Sequence, residues 1–268
     1  MTDLDLVLVA GATGGVGQIT TAKLIEQNSF KVRVLTRKES KARKMFGDRV
    51  EIAIGDIRKP ETLIEATKDV KYILCCTGTS AFPSSKWDFD IENSFFDWVK
   101  IYFDSDFRNS KANNSPQQVD RDGVINLVNA SPKDLKRFVF VSSCGVLRKD
   151  TFPYSLLNSF GVLDAKKAGE TAIINSGLPY TIIRPGRLID GPYTSYDLNT
   201  LLKAKTNNKL NVVLDTGDTL NGQTSRIDVA EACIRSLFYP ITANKAFEIV
   251  NFGARPSQID WEKLFSVL

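Results

Sequence analysis

The sequence predicts an α/β protein with a doubly wound parallel sheet and a small C-terminal lobe. Three observations carry this. Short β-branched apolar runs alternate with helical stretches over most of the chain, a pattern that specifies a parallel sheet covered on both faces. A glycine-rich turn, Gly11-Ala12-Thr13-Gly14-Gly15-Val16-Gly17, joins the first apolar run to the first helical one. Two regions, 80–115 and 185–268, break the alternation and read as additions at one end of the sheet.

The elements follow in order. Leu6–Ala10 is an apolar run that stops at glycine, and Gly15–Gln27 reads as a helix. Strands are expected at Lys31–Thr36, Val50–Ile54 and Tyr72–Cys75, with a helix over Pro60–Thr67 between the last two. A helix over Pro116–Ala130 leads into a strand at Arg137–Val141, and one around Asp164–Ser176 leads into Tyr180–Arg184. Pro60 and Pro116 suit a first helical turn and Gly177 a helix stop. After Pro185, turns such as Asp190-Gly191-Pro192 and Asn221-Gly222 separate shorter elements. The whole, 1–268, reads as one Rossmann domain whose substrate-side elements come from 80–115 and 185–268.

Composition removes several classes of function. With 43% hydrophobic and 25% charged residues the chain resembles ordinary soluble globular proteins. A net charge of +4, scattered along the chain, is too small to argue for nucleic acid. No apolar run approaches the ~18 residues of a membrane span. Met1–Asp5 has no basic region and no small-residue cleavage site, so no secretory signal is expected. Cys75, Cys76, Cys144 and Cys233 have neither zinc-site nor disulfide-framework spacing and read as buried thiols in a reducing, cytoplasmic setting. The absence of histidine excludes His-dependent triads and most catalytic zinc sites, and no metal is expected.

The glycine turn carries the chemistry. Gly11 permits a tight turn after a strand, Gly14 lets backbone approach a pyrophosphate, and Gly17 lets the helix pack on the strand. Free amides and the positive end of the helix dipole then face the phosphates. At the end of the second strand NAD sites hold an acidic residue, whereas here stand Arg37 and Lys38. A guanidinium suits a ribose 2′-phosphate through paired, charge-assisted hydrogen bonds, so the expected cofactor is NADP(H). Lys41 and Arg43 read as solvated helix-face charges. Asp56-Ile57 after the third strand either reaches the adenine amino group or forms a helix-approach turn. Thr77-Gly78-Thr79, after the fourth strand, leaves room for the middle of the cofactor.

Together Gly11–Gly17, Arg37, Asp56, Ser142-Ser143, Lys166 with Glu170, and the run Tyr180–Gly186 resemble the atypical short-chain dehydrogenase/reductases, in their NmrA-like, NAD(P)H-binding branch of cyanobacterial and chloroplast type. The resemblance spans about residues 6–250. It implies cofactor contacts at Ser142, Lys166, Pro185 and Gly186, catalytic roles for Ser143 and Lys166, and a cytoplasmic or plastid-stroma location. Active members of the wider superfamily use Tyr-x-x-x-Lys, with the tyrosine as acid and the lysine lowering its pKa. Here Val162 stands four residues before Lys166, and the nearest earlier tyrosine, Tyr154, lies twelve before it.

Residues 82–107 carry nine aromatics interleaved with acids. Phe95, Trp98, Val99 and Tyr102 fall on one helical face, which reads as a helix packed on the sheet, as a lid over the nicotinamide or as a protein-docking surface. Farther on, Gln223–Ala230 resembles the family's closing helix, where Arg226 and Asp228 read as a local pair. The expected function is hydride transfer from NADP(H) to a small, aromatic-type acceptor without the usual tyrosine acid. The alternative is an NADP(H) redox sensor or assembly protein acting through a partner.

Overall fold

The computed structural model describes residues 4–92, 94–190, 197–203, 206 and 209–268. Its strands are β1 (Leu6–Ala10), β2 (Lys31–Thr36), β3 (Glu51–Ile54), β4 (Tyr72–Cys75), β5 (Arg137–Val141), β6 (Tyr180–Pro185), β7 (Arg187–Leu188), β8 (Leu210–Asp215), β9 (Gln223–Thr224) and β10 (Lys245–Ala254). The parallel part runs β3-β2-β1-β4-β5-β6-β10. β1 shows why these residues choose this place. All five of its side chains are buried, with Val7 and Val9 in one apolar cluster and Leu6, Leu8 and Ala10 in the other. A strand buried on both faces needs an unbroken apolar run. Each such side chain contributes at most about 1.5–3 kcal/mol.

The α-helices are α1 (Gly15–Gln27), α2 (Glu39–Phe46), α3 (Leu63–Thr67), α4 (Phe95–Phe103), α5 (Ser105–Lys111), α6 (Gly123–Asn129), α7 (Tyr154–Leu157), α8 (Val162–Asn175), α9 (Leu198–Leu202), α10 (Arg226–Phe238) and α11 (Trp261–Phe265). One face of the sheet is covered by α1, α2, α10 and α11, the other by α3, α6 and α8. Chain order reverses beside β1, which pairs β2 on one side and β4 on the other, so that Ala10 lies opposite both Leu35 and Cys75. Such a reversal opens a crevice at the carboxyl ends of the strands.

Two predicted helices are less regular than their patterns. Pro60–Thr62 is a 3₁₀ turn before α3, and a π-helical turn, Gln117–Asp122, precedes α6. Beyond β6, β8 and β9 run antiparallel on β10, and β7 pairs β9. Buried carboxylates fasten the loops there. Glu248 accepts the amides of Asp218 and Thr219, each at 2.7 Å, and Asp218 accepts those of Gly145 and Leu147 at the same distance. Of the expected turn at Asp190-Gly191-Pro192, Gly191 and Pro192 lie outside the described residues.

Candidate functional site

The glycine turn sits at the chain reversal. Gly11 has φ +78°, and the amide of Gly14 donates to its carbonyl at 2.9 Å, closing the turn. At Gly17 a Cβ would stand 2.1 Å from the Gly11 carbonyl oxygen, so helix and turn can touch only through glycine. The N-cap of α1 is Gly14, which has no side chain to accept the first amides of the helix. Those donors, with the positive end of the helix dipole, therefore remain for an anion. Ala12 and Val16 are buried in the core, which leaves their backbone as the part that can meet a ligand.

A cleft of about 740 Å³ opens in front of this turn. Its walls include Gly11, Thr13 and Gly14 from the turn, Arg37, Lys38 and Lys41 after β2, Asp56, Ile57 and Arg58 after β3, and Thr77, Gly78 and Thr79 after β4. With Lys86, five basic residues thus line one hollow. Lys41, expected in solvent, lies against the turn with its Nζ 3.4 Å from the Thr13 carbonyl. Burial, then the charges of Arg37 and Lys38, holds its ammonium below the ordinary lysine value. Arg43 does face solvent, paired with Glu39 and Asp48.

Asp56 is partnered within its own turn. Both its carboxylate oxygens accept from Arg58 Nε, at 2.9 and 3.0 Å. Burial pushes this carboxyl up, but the hydrogen bonds and charge of Arg58 outweigh burial and hold it below the ordinary range. Asp56 also accepts the Arg58 amide at 3.0 Å, which makes the helix-approach turn, and its side chain lines the cleft. Arg58 escaped the sequence reading, although its place two residues after Asp56 was a usable signal.

Lys166 is no surface lysine. It is buried, its Nζ 2.8 Å from Asp120 Oδ1 and donating to the Val141 carbonyl at 3.2 Å. Asp120 also accepts the Thr79 amide at 3.1 Å, so this fully buried carboxylate ties the β4 loop to α8. It sits in the π-helical turn, and nothing in the sequence marked it. Ser142 is committed elsewhere: its hydroxyl donates to Glu170 at 2.6 Å, and Glu170 in turn receives Arg184 through two bonds of 2.9 and 2.8 Å. Ser143 donates to the Cys144 carbonyl at 3.0 Å. The Gly186 amide is taken by Ile249 and Thr224, and the Pro185 carbonyl accepts from Cys144. Ser142, Ser143, Lys166, Pro185 and Gly186 are not among the residues lining the cleft, but Lys166 stands directly behind its wall, with Nζ 3.5 Å from where a Cβ on Gly78 would be.

The Glu170 network carries a stability test. Replacing Glu170 with alanine leaves Arg184, only 4% exposed, without its counter-charge. Urea unfolding should show a loss of about 3–5 kcal/mol, and an unchanged midpoint would contradict the network.

Val162, at the tyrosine position, is buried and nonpolar. The hydroxyl of Tyr154 is occupied by Asn221 at 2.6 Å. Burial, reinforced by nearby Asp218 and Glu248, pushes the Cys144 thiol up to about 12, and burial takes that of Cys75 to about 11. These cysteines are packing residues, as expected. The local pair expected between Arg226 and Asp228 does not form: Asp228 binds Arg255 at 2.7 Å, and Arg226 faces Asp190 at 3.7 Å.

The aromatic segment departs from the packed-helix reading. Among the described residues of α4 only Ile101 is fully buried, while Phe95, Phe96 and Phe103 are 78%, 75% and 88% exposed. The segment's earlier part, Ser85, Lys86 and Asp88, lines the cleft at its Arg37 and Arg58 end, and Asn114 accepts from Arg37 at 3.2 Å. What the insert borders is thus the β2 side of the cleft.

The sequence pattern of the NAD(P)H-binding family matches residues 11–240. Sanguinarine reductase from Eschscholzia californica is 34% identical over 97% of this chain and 94% of its own length. Protein TIC 62, chloroplastic, from Pisum sativum is 32% identical over 85% of this chain, which spans only 39% of that protein. Among solved structures, the anaerobillin reductase ChuY from Escherichia coli O157:H7 superposes with a TM-score of 0.65 at 17% identity, over 94% of this chain and all of that one, a likeness of fold. Among the described residues no helix is long and apolar enough to cross a membrane. The chain belongs to the NAD(P)H-binding, NmrA-like branch of the atypical short-chain dehydrogenase/reductases.

Proposed function

We propose that this protein is an NADP(H)-dependent reductase that passes hydride to a small conjugated acceptor able to take its proton from water. The observation that carries the reading is the gathering of Arg37, Lys38 and Lys41 on one wall of the cleft, beside the uncapped helix of the glycine turn. Like charges drawn together are costly unless an anion joins them. A 2′-phosphate is the group that distinguishes NADP from NAD at this strand end. When bound, the nicotinamide supplies the hydride. The chain's own residues bind it, fix its position and exclude water. Buried Val162 offers no proton at the usual place, which favours acceptors less demanding than simple ketones. The reductase relative supports the reaction class, and relatives named as chloroplastic support a plastid-stroma setting.

Steady oxidation of NADPH in the presence of quinones, flavins or extended aromatic acceptors is the expected result. Tight NADPH binding with no turnover on any of them would favour a second reading, a redox sensor working through a partner. The three exposed phenylalanines of α4 are the observation on that side.

Lys41 adds a pH dependence. A bound phosphate stabilises its ammonium, so its pKa rises on binding from the depressed value of the free protein. NADPH affinity should be full below that depressed value and fall as pH rises through it. Titrations across the alkaline range check this, and Lys41→Met should flatten the fall.

A further inference from the structure

We infer that Arg226 is a further cofactor ligand, its guanidinium gripping the nicotinamide-side phosphate of the dinucleotide. The inference rests on the dinucleotide reading above. Arg226 opens α10, and its side chain lies across Gly15, the first residue of α1. A Cβ at Gly15 would meet Arg226 Nε at 3.0 Å and Cδ at 3.3 Å. The guanidinium thus stands beside the amides that cap nothing.

The helix that presents it is firmly held. Asp190 accepts the Arg226 amide at 2.6 Å and the Ser225 hydroxyl through its other oxygen. Two residues on, in the same first turn, Asp228 receives Arg255 in a fork of 2.7 and 3.0 Å. The guanidinium itself is left short. Its Nη1 is buried without a hydrogen-bond partner, and Asp190 Oδ1, at 3.7 Å, is out of hydrogen-bond reach and already engaged by the amide. A charged donor is not buried cheaply in that state unless something completes it.

Position names the ligand. Arg37, Lys38 and Lys41 approach the glycine turn from β2. α10 packs on α1, β5 and β6, so Arg226 approaches from the opposite side of the same turn. A dinucleotide lying along the crevice from β2 toward β6 passes its adenosine-side phosphate first and its second phosphate at Arg226. An adenosine nucleotide ends before that point.

Three ligands separate the contributions: NADPH, NADH, and adenosine 2′,5′-bisphosphate, which lacks the second linked phosphate. In calorimetric titrations Arg226→Gln should weaken NADPH and NADH by the same factor, about 10-fold or more, and leave the bisphosphate within about twofold. Arg37→Ala, which tests the underlying reading, should weaken NADPH and the bisphosphate and spare NADH. Should the glutamine variant fail to fold, Arg226→Lys carries the test, since it keeps the charge, loses the fork and must still weaken both dinucleotides alike. Unchanged dinucleotide affinity overturns the assignment. So does an equal loss for the bisphosphate, which would place the damage in the fold or the adenosine half. A loss of NADH affinity in Arg37→Ala would defeat the 2′-phosphate reading and leave the Arg226 result standing.

Discussion

Arg37→Ala is expected to lower NADPH affinity by about 10- to 100-fold while NADH binding stays within about twofold, because one charge-assisted, forked contact to phosphate is worth ~1.5–3 kcal/mol. The guanidinium is exposed on the cleft wall, and its modest bond to Asn114, at 3.2 Å, is easily exchanged for a phosphate oxygen. Lys38 and Lys41 remain in the variant and keep part of the field, so binding should weaken and not vanish. The loss should shrink as salt is raised, since the contact sits at an open surface. Isothermal titration at two ionic strengths reads all of this. Equal losses for NADPH and NADH would mean that Arg37 serves the shape of the site and not the 2′-phosphate.

Gly17→Ala should be the more damaging of the single changes. The added methyl would lie 2.1 Å from the Gly11 carbonyl oxygen and 2.7 Å from its carbon. Neither is a movable side-chain end, so α1 or the turn must shift by about an ångström, at a cost of ~1–3 kcal/mol or more. The same shift withdraws the helix amides from the place where phosphates would sit. Thermal unfolding should show a lower midpoint, and NADPH titration should show no saturable binding. Wild-type affinity in this variant would show that the close approach of helix and turn is not what positions the site.

These two residues were legible in the sequence because their physics is local. A strand, three glycines and a helix fit within a dozen residues, and β2 ends where its β-branched run ends. The same locality explains why the ranges of β1, β2, β4, β5 and α1 are those expected from the apolar pattern. What could not be read depends on partners far along the chain. Asp120 meets Lys166 across 46 positions, and Arg226 meets Asp190 across 36. Ser142 resembled a cofactor residue, yet Glu170 claims its hydroxyl from α8. Lys41 carries the same charge as Arg43 two residues later, and only the placement of α2 beside the turn turns one of them inward. The amphipathic spacing of Phe95–Phe103 left a packed helix, a lid and a docking surface open. In the structure Ile101 is the buried residue of that helix, while Trp98 and Tyr102 pack on Phe89 and Phe160, partners the spacing does not name.

The most direct measurement is a crystal structure of the protein with NADPH. It should show the linked phosphates on the first-turn amides of α1 and the 2′-phosphate within hydrogen-bond reach of Arg37. A dinucleotide bound elsewhere, or one whose 2′-phosphate points into solvent away from Arg37, Lys38 and Lys41, would contradict the account.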